Sequence, residues 1–222
     1  DPCLEAEVFR EASKEAEAFS ESLSFTPPPS LVCEGLLGSE GSSQILHMEK
    51  LAPAEAPSLR RIDHALNELA NLIGGDAAYP MGFQCRWRTH ALLHETGMPS
   101  EVMPALTEHE AASWLASFSR AKLMMLAILG PIAGTLELDP FDEETEPFEF
   151  HTTPGTIVLL RADLMSHKHF AHSRAFVLSS FLFSGRTASR KGEAVTNANM
   201  PPCAIELENW AVQRLRELKE EE

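Results

Sequence analysis

The chain has 222 residues, 44% of them hydrophobic, and a formal net charge of −15. A chain of that size can bury one core without disulfide or metal staples. Its acidity excludes the basic surface that nucleic acid requires and works against docking on anionic lipid, and no run reaches the ~18 apolar residues that span a bilayer.

Residues 4–23 carry Leu4, Val8, Ala12, Ala16, Phe19 and Leu23 at helical spacing, with glutamates elsewhere around the turn, and predict an amphipathic helix. Pro27-Pro28-Pro29 ends it, because consecutive prolines cannot continue a helix. Gly38 to Ser43 is a loop by composition, and Gln44 to Lys50 is expected as a short strand. Leu59, Ile62, Leu66, Leu69 and Ile73 then stripe a second helix over 58–73, with Gly74-Gly75 as its stop. From 81 to 96 the period changes to two. Phe83, Cys85 and Trp87 alternate with Gln84, Arg86 and Arg88, and His90 and His94 continue the parity of the arginines, which predicts a strand with one buried face.

Thr107, with Glu110 three residues on, spells a capping box for a helix over 108–120 whose apolar face is Ala111, Trp114, Leu115 and Phe118. Strands follow at 122–129, 134–138, 147–151, 155–161 and 174–183, separated by Gly130-Pro131, Asp139-Pro140 and Pro154-Gly155. Residues 184–203 read as a polar loop. A last helix over 204–219 uses Ile205, Ala211, Leu215 and Leu218. Helices at both ends and strands between them predict an antiparallel sheet system flanked by helices, not βαβ units.

Four cysteines, at 3, 33, 85 and 203, form no Cys-x-x-Cys pair, which argues against a zinc knuckle or a thioredoxin-type motif. Their spacing fits reduced thiols and leaves disulfide connectivity open. It favours a soluble chain in an intracellular or organellar setting over a secreted one, with the compartment itself left open. Because the sequence starts at Asp1, either a removed leader or a segment of a longer, multidomain polypeptide is expected.

The most informative stretch runs from Pro154 to Phe183. A Pro-Gly turn launches the apolar run Ile157-Val158-Leu159-Leu160, a short polar turn brings His167, and Arg174 opens a second apolar run. Upstream stand the strand Lys122 to Leu129 and Gly134-Thr135-Leu136-Glu137-Leu138. This order, over roughly residues 120–183, resembles the C-terminal half of the prolyl-hydroxylase-like branch of the 2-oxoglutarate and Fe(II)-dependent oxygenases. The resemblance implies that His167 is the distal iron ligand and that Arg174 binds the far carboxylate of 2-oxoglutarate. Imidazole suits Fe(II), and a guanidinium can grip a carboxylate with two parallel hydrogen bonds.

The family's proximal motif, His-x-Asp or His-x-Glu, is not found within the resemblance. His109-Glu110-Ala111 stands at the expected distance with alanine in the carboxylate position, as in the halogenases of the family, where chloride takes the vacated place on iron. His94-Glu95-Thr96 lies at a strand end and also lacks the second-position carboxylate. His47-Met48-Glu49 has the right spelling but lies too far upstream. His109 and His94 are therefore the alternative partners for His167.

Blander readings stand beside these. His167 also reads as a polar residue at a strand edge, and Arg174 as a surface arginine facing the acidic loop 141–146. His167, His169 and His172 have no standard zinc spacing and read as a histidine-rich loop. His90 and His94 read as partly exposed strand histidines, and Met124-Met125 as core.

The expected fold is α+β with a mainly β core: a double-stranded β-helix (jelly roll) with flanking helices. One domain, 1–222, would comprise a mostly helical part (1–75), a β-helix core (81–183) and a C-terminal helix (204–219). Two functions follow. In the first, an Fe(II)/2-oxoglutarate oxygenase-like enzyme hydroxylates or halogenates an unknown substrate. In the second, the scaffold is catalytically inactive and serves as a binding or scaffolding module in a larger protein or assembly, with an amphipathic helix at each end available to a protein partner. Fold alone does not decide between them.

Overall fold

The computed structural model describes residues 6–37, 44–52, 54–76, 83–97, 103–142, 144–184 and 200–221. Helix α1 (Ala6–Glu21) and the short helix α2 (Ser30–Cys33) precede strand β1 (Gln44–His47). A 3-10 turn (Met48–Lys50) and helix α3 (Pro57–Asp76) lead to β2 (Cys85–Arg88) and β3 (Leu92–Thr96). Helix α4 (Glu108–Arg120) then feeds β4 (Ala121–Gly130), β5 (Gly134–Pro140), β6 (Phe148–Thr152), β7 (Ile157–Leu160), β8 (Met165–Phe170) and β9 (Ala175–Ser184). Helix α5 (Pro202–Glu221) follows. The architecture is α+β with antiparallel sheets.

Two sheets form. The larger runs β1-β3-β9-β4-β7, with β2 also paired to β9, and the smaller runs β6-β5-β8. Strands β4 and β9 lie at the centre of the larger sheet and are buried on both faces over most of their length. That explains why their sequences are continuous apolar runs with no alternation.

One core lies between the larger sheet and helices α1 and α3. Val8, Phe9, Ala12 and Ala16 of α1 and Leu59, Ile62 and Leu66 of α3 meet Leu93, Met125, Ala127, Phe176, Leu178 and Leu182 of the sheet. The opposite face, with Met124, Leu126, Ile128, Val177 and Phe181, meets Leu136 and Leu138 of the smaller sheet. Val32, Leu36 and Leu37 join this second core from the α2 segment, as do Cys203, Ala204 and Leu207 from α5. The amide of His169 in β8 donates to the Leu37 carbonyl at 3.3 Å, so this segment lies along the free edge of β8.

Several expectations change. The first helix stops at Glu21, and Leu23 has left-handed backbone and is exposed, so it is not part of the buried stripe. Residues 44–50 split into β1 and the 3-10 turn. Gly74 does not stop α3, which continues to Asp76. A Cβ on Gly74 would come within 2.5 Å of the Cys85 carbonyl, so the glycine allows β2 to approach the helix.

The strand read over 81–96 divides into β2 and β3. A bulge between Cys85 and Trp87 breaks the alternation. Trp87 turns outward, while the Arg88 side chain is buried and donates to Asp63 at 2.6 Å and to the Ser180 hydroxyl at 2.8 Å. In the last helix, burial concentrates at Cys203, Ala204 and Leu207, and Leu215 is exposed. The capping box forms as expected: the Glu110 amide donates to Thr107 Oγ1 and the Thr107 amide to Glu110 Oε2. Leu4, Cys3, the loop 38–43 and most of 184–203 lie outside the described residues.

Candidate functional site

Strand parity decides which polar groups enter the space between the sheets. On β3, Leu92 belongs to the inter-sheet core and Leu93 to the helix-side core. His94 and Thr96 follow the first parity and Glu95 the second. On β9, Val177, Ser179 and Phe181 face inward, and Phe176, Ser180 and Leu182 face the helices. On β8, His167 and His169 alternate inward. That strand is a correction to the expected histidine-rich loop: period-two burial of the two histidines, with ladder pairing to Leu138 and Leu136 of β5, makes it a sheet edge.

Three histidines are thus buried in one region, and each is pushed toward its neutral form. Burial lowers His94 to about 3, with the neighbouring His167, His169 and His47 as lesser contributors. Burial lowers His167 and His169 to about 4 each. His94 is 0% exposed, unlike the half-exposed strand histidine expected, while His90 is exposed and lies 3.7 Å from Glu49.

Their hydrogen bonds differ. His94 Nε2 lies 2.6 Å from the Ser179 hydroxyl. The Thr96 hydroxyl donates to the Ala175 carbonyl at 3.3 Å and meets His169 Nδ1 at 3.3 Å. With that proton committed, His169 Nδ1–H is the donor in the second contact, which leaves Nε2 to accept from the Thr152 hydroxyl at 3.1 Å. His169 is therefore fully satisfied. His94 Nδ1 and both ring nitrogens of His167 are buried without a hydrogen-bond partner. The Leu36 and Met165 carbonyls favour a protonated His167 ring, yet neither reaches it with hydrogen-bond geometry.

Arg174 lies elsewhere. It shares the parity of Phe176 and Ser180 and turns to the helix side, where its Nε donates to Glu95 Oε1 at 2.9 Å. The Ser20 hydroxyl of α1 donates to the same carboxylate at 2.9 Å. The partner of Arg174 is thus Glu95, not the acidic loop 141–146. His109 is exposed on α4, in a groove with His47, His90 and Trp114. The structure brings His94, His167 and His169 together and sets Arg174 and His109 apart from them.

These donors do not fit an iron site of the implied kind. No group of three or more His, Cys, Asp or Glu among the described residues is placed to hold a metal ion. The carboxylate next to His94 in sequence, Glu95, crosses to the other face of the sheet and is taken by Arg174. Burial pushes the Cys33 thiol up to about 11 and that of Cys203 up to about 12, so neither of these two is a thiolate near neutrality.

A cavity of about 440 Å³ opens beside His167. Phe118, Phe141, Phe181 and Met165 supply apolar wall, and Glu34, Asp139 and Glu206 supply carboxylates. Sequence reasoning missed this cavity and the hydroxyls of Thr96, Thr152 and Ser179. The available signal was a serine or threonine inside a buried strand, which requires a partner.

No protein-family model and no curated protein matches the chain. Among solved structures it is similar to a prolyl hydroxylase from Trichoplax adhaerens, in complex with a peptide of the hypoxia inducible factor oxygen degradation domain. The TM-score is 0.54 at 11% identity, over 80% of this chain and 78% of that one. It is also similar to a Pseudomonas putida prolyl-4-hydroxylase, with TM-score 0.50 and 14% identity over 80% of this chain and 87% of that one. A prolyl 4-hydroxylase from Phytophthora capsici gives TM-score 0.52 and 15% identity over 96% of this chain and 73% of that one. At these identities the likeness establishes architecture: the chain has the oxygenase-like fold of the prolyl hydroxylases.

Proposed function

We propose that the chain is a double-stranded β-helix (jelly-roll) domain, a single unit across 1–222, that uses an oxygenase-like fold as a binding or scaffolding module and not as an iron enzyme. From β4 on, the chain crosses repeatedly between the two sheets, with β4, β7 and β9 in one and the β5-β6 hairpin and β8 in the other, which supports the jelly-roll reading.

One observation carries the functional reading: Arg174 lies on the helix side of the larger sheet, whereas the three buried histidines, His94 on that sheet and His167 and His169 on the smaller one, lie on its other side, between the sheets. An oxygenase of the implied kind needs its iron ligands and its carboxylate anchor to face one space. Here that space is packed by Leu36 and Leu37, both fully buried, and by a His169 whose two nitrogens are already bonded to threonine hydroxyls.

A second reading keeps the activity, with Fe(II) held by His167 and either His94 or His109, 2-oxoglutarate held by Arg174, and hydroxylation or, given Ala111, halogenation as the reaction. The unpartnered nitrogens of His94 and His167 favour it. The deciding experiment is anaerobic addition of Fe(II) and 2-oxoglutarate to folded protein. The module reading expects no visible charge-transfer band and no thermal shift. A band accompanied by 2-oxoglutarate decarboxylation on admitting oxygen overturns it.

A further inference from the structure

We propose that the groove between helix α4, the end of β1 and the start of β3 binds a phenolic ring, with the His47 imidazole as hydrogen-bond partner of the phenol hydroxyl. None of the three buried histidines lines this groove, so the proposal is independent of whether the domain holds iron.

The groove has a volume of about 370 Å³. His47 stands opposite Leu92 in the β1-β3 ladder and shares its face, the side of the larger sheet against which Trp114 and Phe118 of α4 pack. Leu92 and Phe181, both buried, form the floor, and His47 and Trp114 form walls.

His47 supplies the polar handle, and its state differs from that of His94 and His167. Its ring makes no hydrogen bond among the described residues, yet its nitrogens are not sealed from solvent. Burial, helped by Lys50, holds the ring toward its neutral form. A neutral imidazole has one donor and one acceptor nitrogen. A hydroxyl can satisfy either one.

The walls favour a flat ring. The rings of His47 and Trp114 stand 6.3 Å apart and splay at 44°, while Trp114 stacks on Phe118 at 5.5 Å. An aromatic guest gains from tilted and offset contacts with such rings, beyond the apolar area it buries. The rim favours an uncharged ligand, because it carries both signs: Glu49 lies 3.7 Å from His90, Glu110 is bonded to Thr107, and Lys50 stands beside them. A charged guest would meet a like charge there, and a purely apolar one would leave His47 unbonded.

The test is titration calorimetry of the full chain in metal-free buffer, with p-cresol and N-acetyl-tyrosinamide as probes. Toluene, which lacks the hydroxyl, and cyclohexanol, which lacks the aromatic ring, are the controls. Saturable binding of at least one phenol is expected, with a shift of the His47 ring 15N resonances and much weaker binding of both controls. His47→Phe keeps a ring and removes the nitrogens, so it should bind the phenol roughly tenfold more weakly. His64→Phe, at an exposed histidine of α3 outside the groove, should bind as the parent does.

Binding of p-cresol, of the tyrosine amide or of both supports the proposal and separates a free phenol from a tyrosine side chain as its source. No binding of either phenol to folded protein overturns it. So does binding of toluene or cyclohexanol as tight as that of p-cresol, unchanged binding in His47→Phe, or an equal loss in His64→Phe. Should His47→Phe fail to fold, the parent decides: His47 15N resonances that stay in place at saturating p-cresol overturn the assignment.

Discussion

Arg174 and Glu95 are joined at 2.9 Å on the helix-facing side of the larger sheet, one position along β3 from a histidine that faces the other way. Glu95 is almost fully buried, so Arg174→Ala leaves a carboxylate with only the Ser20 hydroxyl for company. Breaking a buried pair costs about 3–5 kcal/mol, and partial exposure of the arginine reduces this to roughly 1–3 kcal/mol. Urea denaturation of the variant checks it. Unchanged stability together with a measurable loss of 2-oxoglutarate binding would instead restore Arg174 as a co-substrate anchor.

Ser179 supplies the one hydrogen bond of His94. Ser179→Ala leaves both ring nitrogens unsatisfied in a dry interior and should lower stability by about 1–3 kcal/mol. Chemical denaturation measures the loss. A neutral or stabilised variant would mean that His94 finds another partner, which is what an iron ligand would do in the metal-loaded protein.

The three buried histidines make stability depend on pH. In the unfolded chain each titrates near 6.5, whereas burial holds the folded values down to about 3 for His94 and about 4 for His167 and His169. Below pH 6.5 the unfolded state binds more protons than the folded one. Stability therefore falls as pH drops from about 6.5 toward 4, by at most about 1.4 kcal/mol per pH unit for each histidine. Asp163, whose carboxyl is held low by Arg161 and Lys122 against the cost of its burial, loses its contribution in the same direction. Urea midpoints at pH 7.5, 6.5, 5.5 and 5.0 test the sign. A flat profile would show that the histidines are hydrated.

Gly134 at the start of β5 lies where a Cβ would come within 2.5 Å of the Phe170 carbonyl and 2.6 Å of His169 Nε2. A backbone oxygen cannot step aside, so Gly134→Ala should cost about 1–3 kcal/mol through overpacking. It should also displace His169 from Thr152. Denaturation reads the first effect, and the His169 ring 15N resonances read the second.

Much of the scaffold was legible because its signals are local. The Thr107 and Glu110 capping box, the α3 stripe and the apolar runs of β4 and β9 each state their own structure. The site was less legible because it depends on which face a strand presents. Arg174 looked like an anchor from its place before an apolar run. Its destination was set by parity within β9, and a strand buried on both faces carries no alternation from which to read that parity. Similarly, β8 was hidden because His167 and His169 are polar, so their inward alternation looked like loop composition. Trp87 and Arg88 exchanged faces through a bulge that nothing in Arg86-Trp87-Arg88 announces.

Glu15 of α1 reaches across to another helix. Its carboxylate accepts the Ser58 amide at 2.9 Å and the Leu59 amide at 2.9 Å, which are unpaired donors at the beginning of α3. Helix α3 thus begins on a borrowed anion, placed where a helix start favours negative charge. The first helix is consequently not a dispensable extension of the β core. Shortening the protein from its amino end past Glu15 would unfasten α3 more than forty residues away, and with it the lid over the helix-side core.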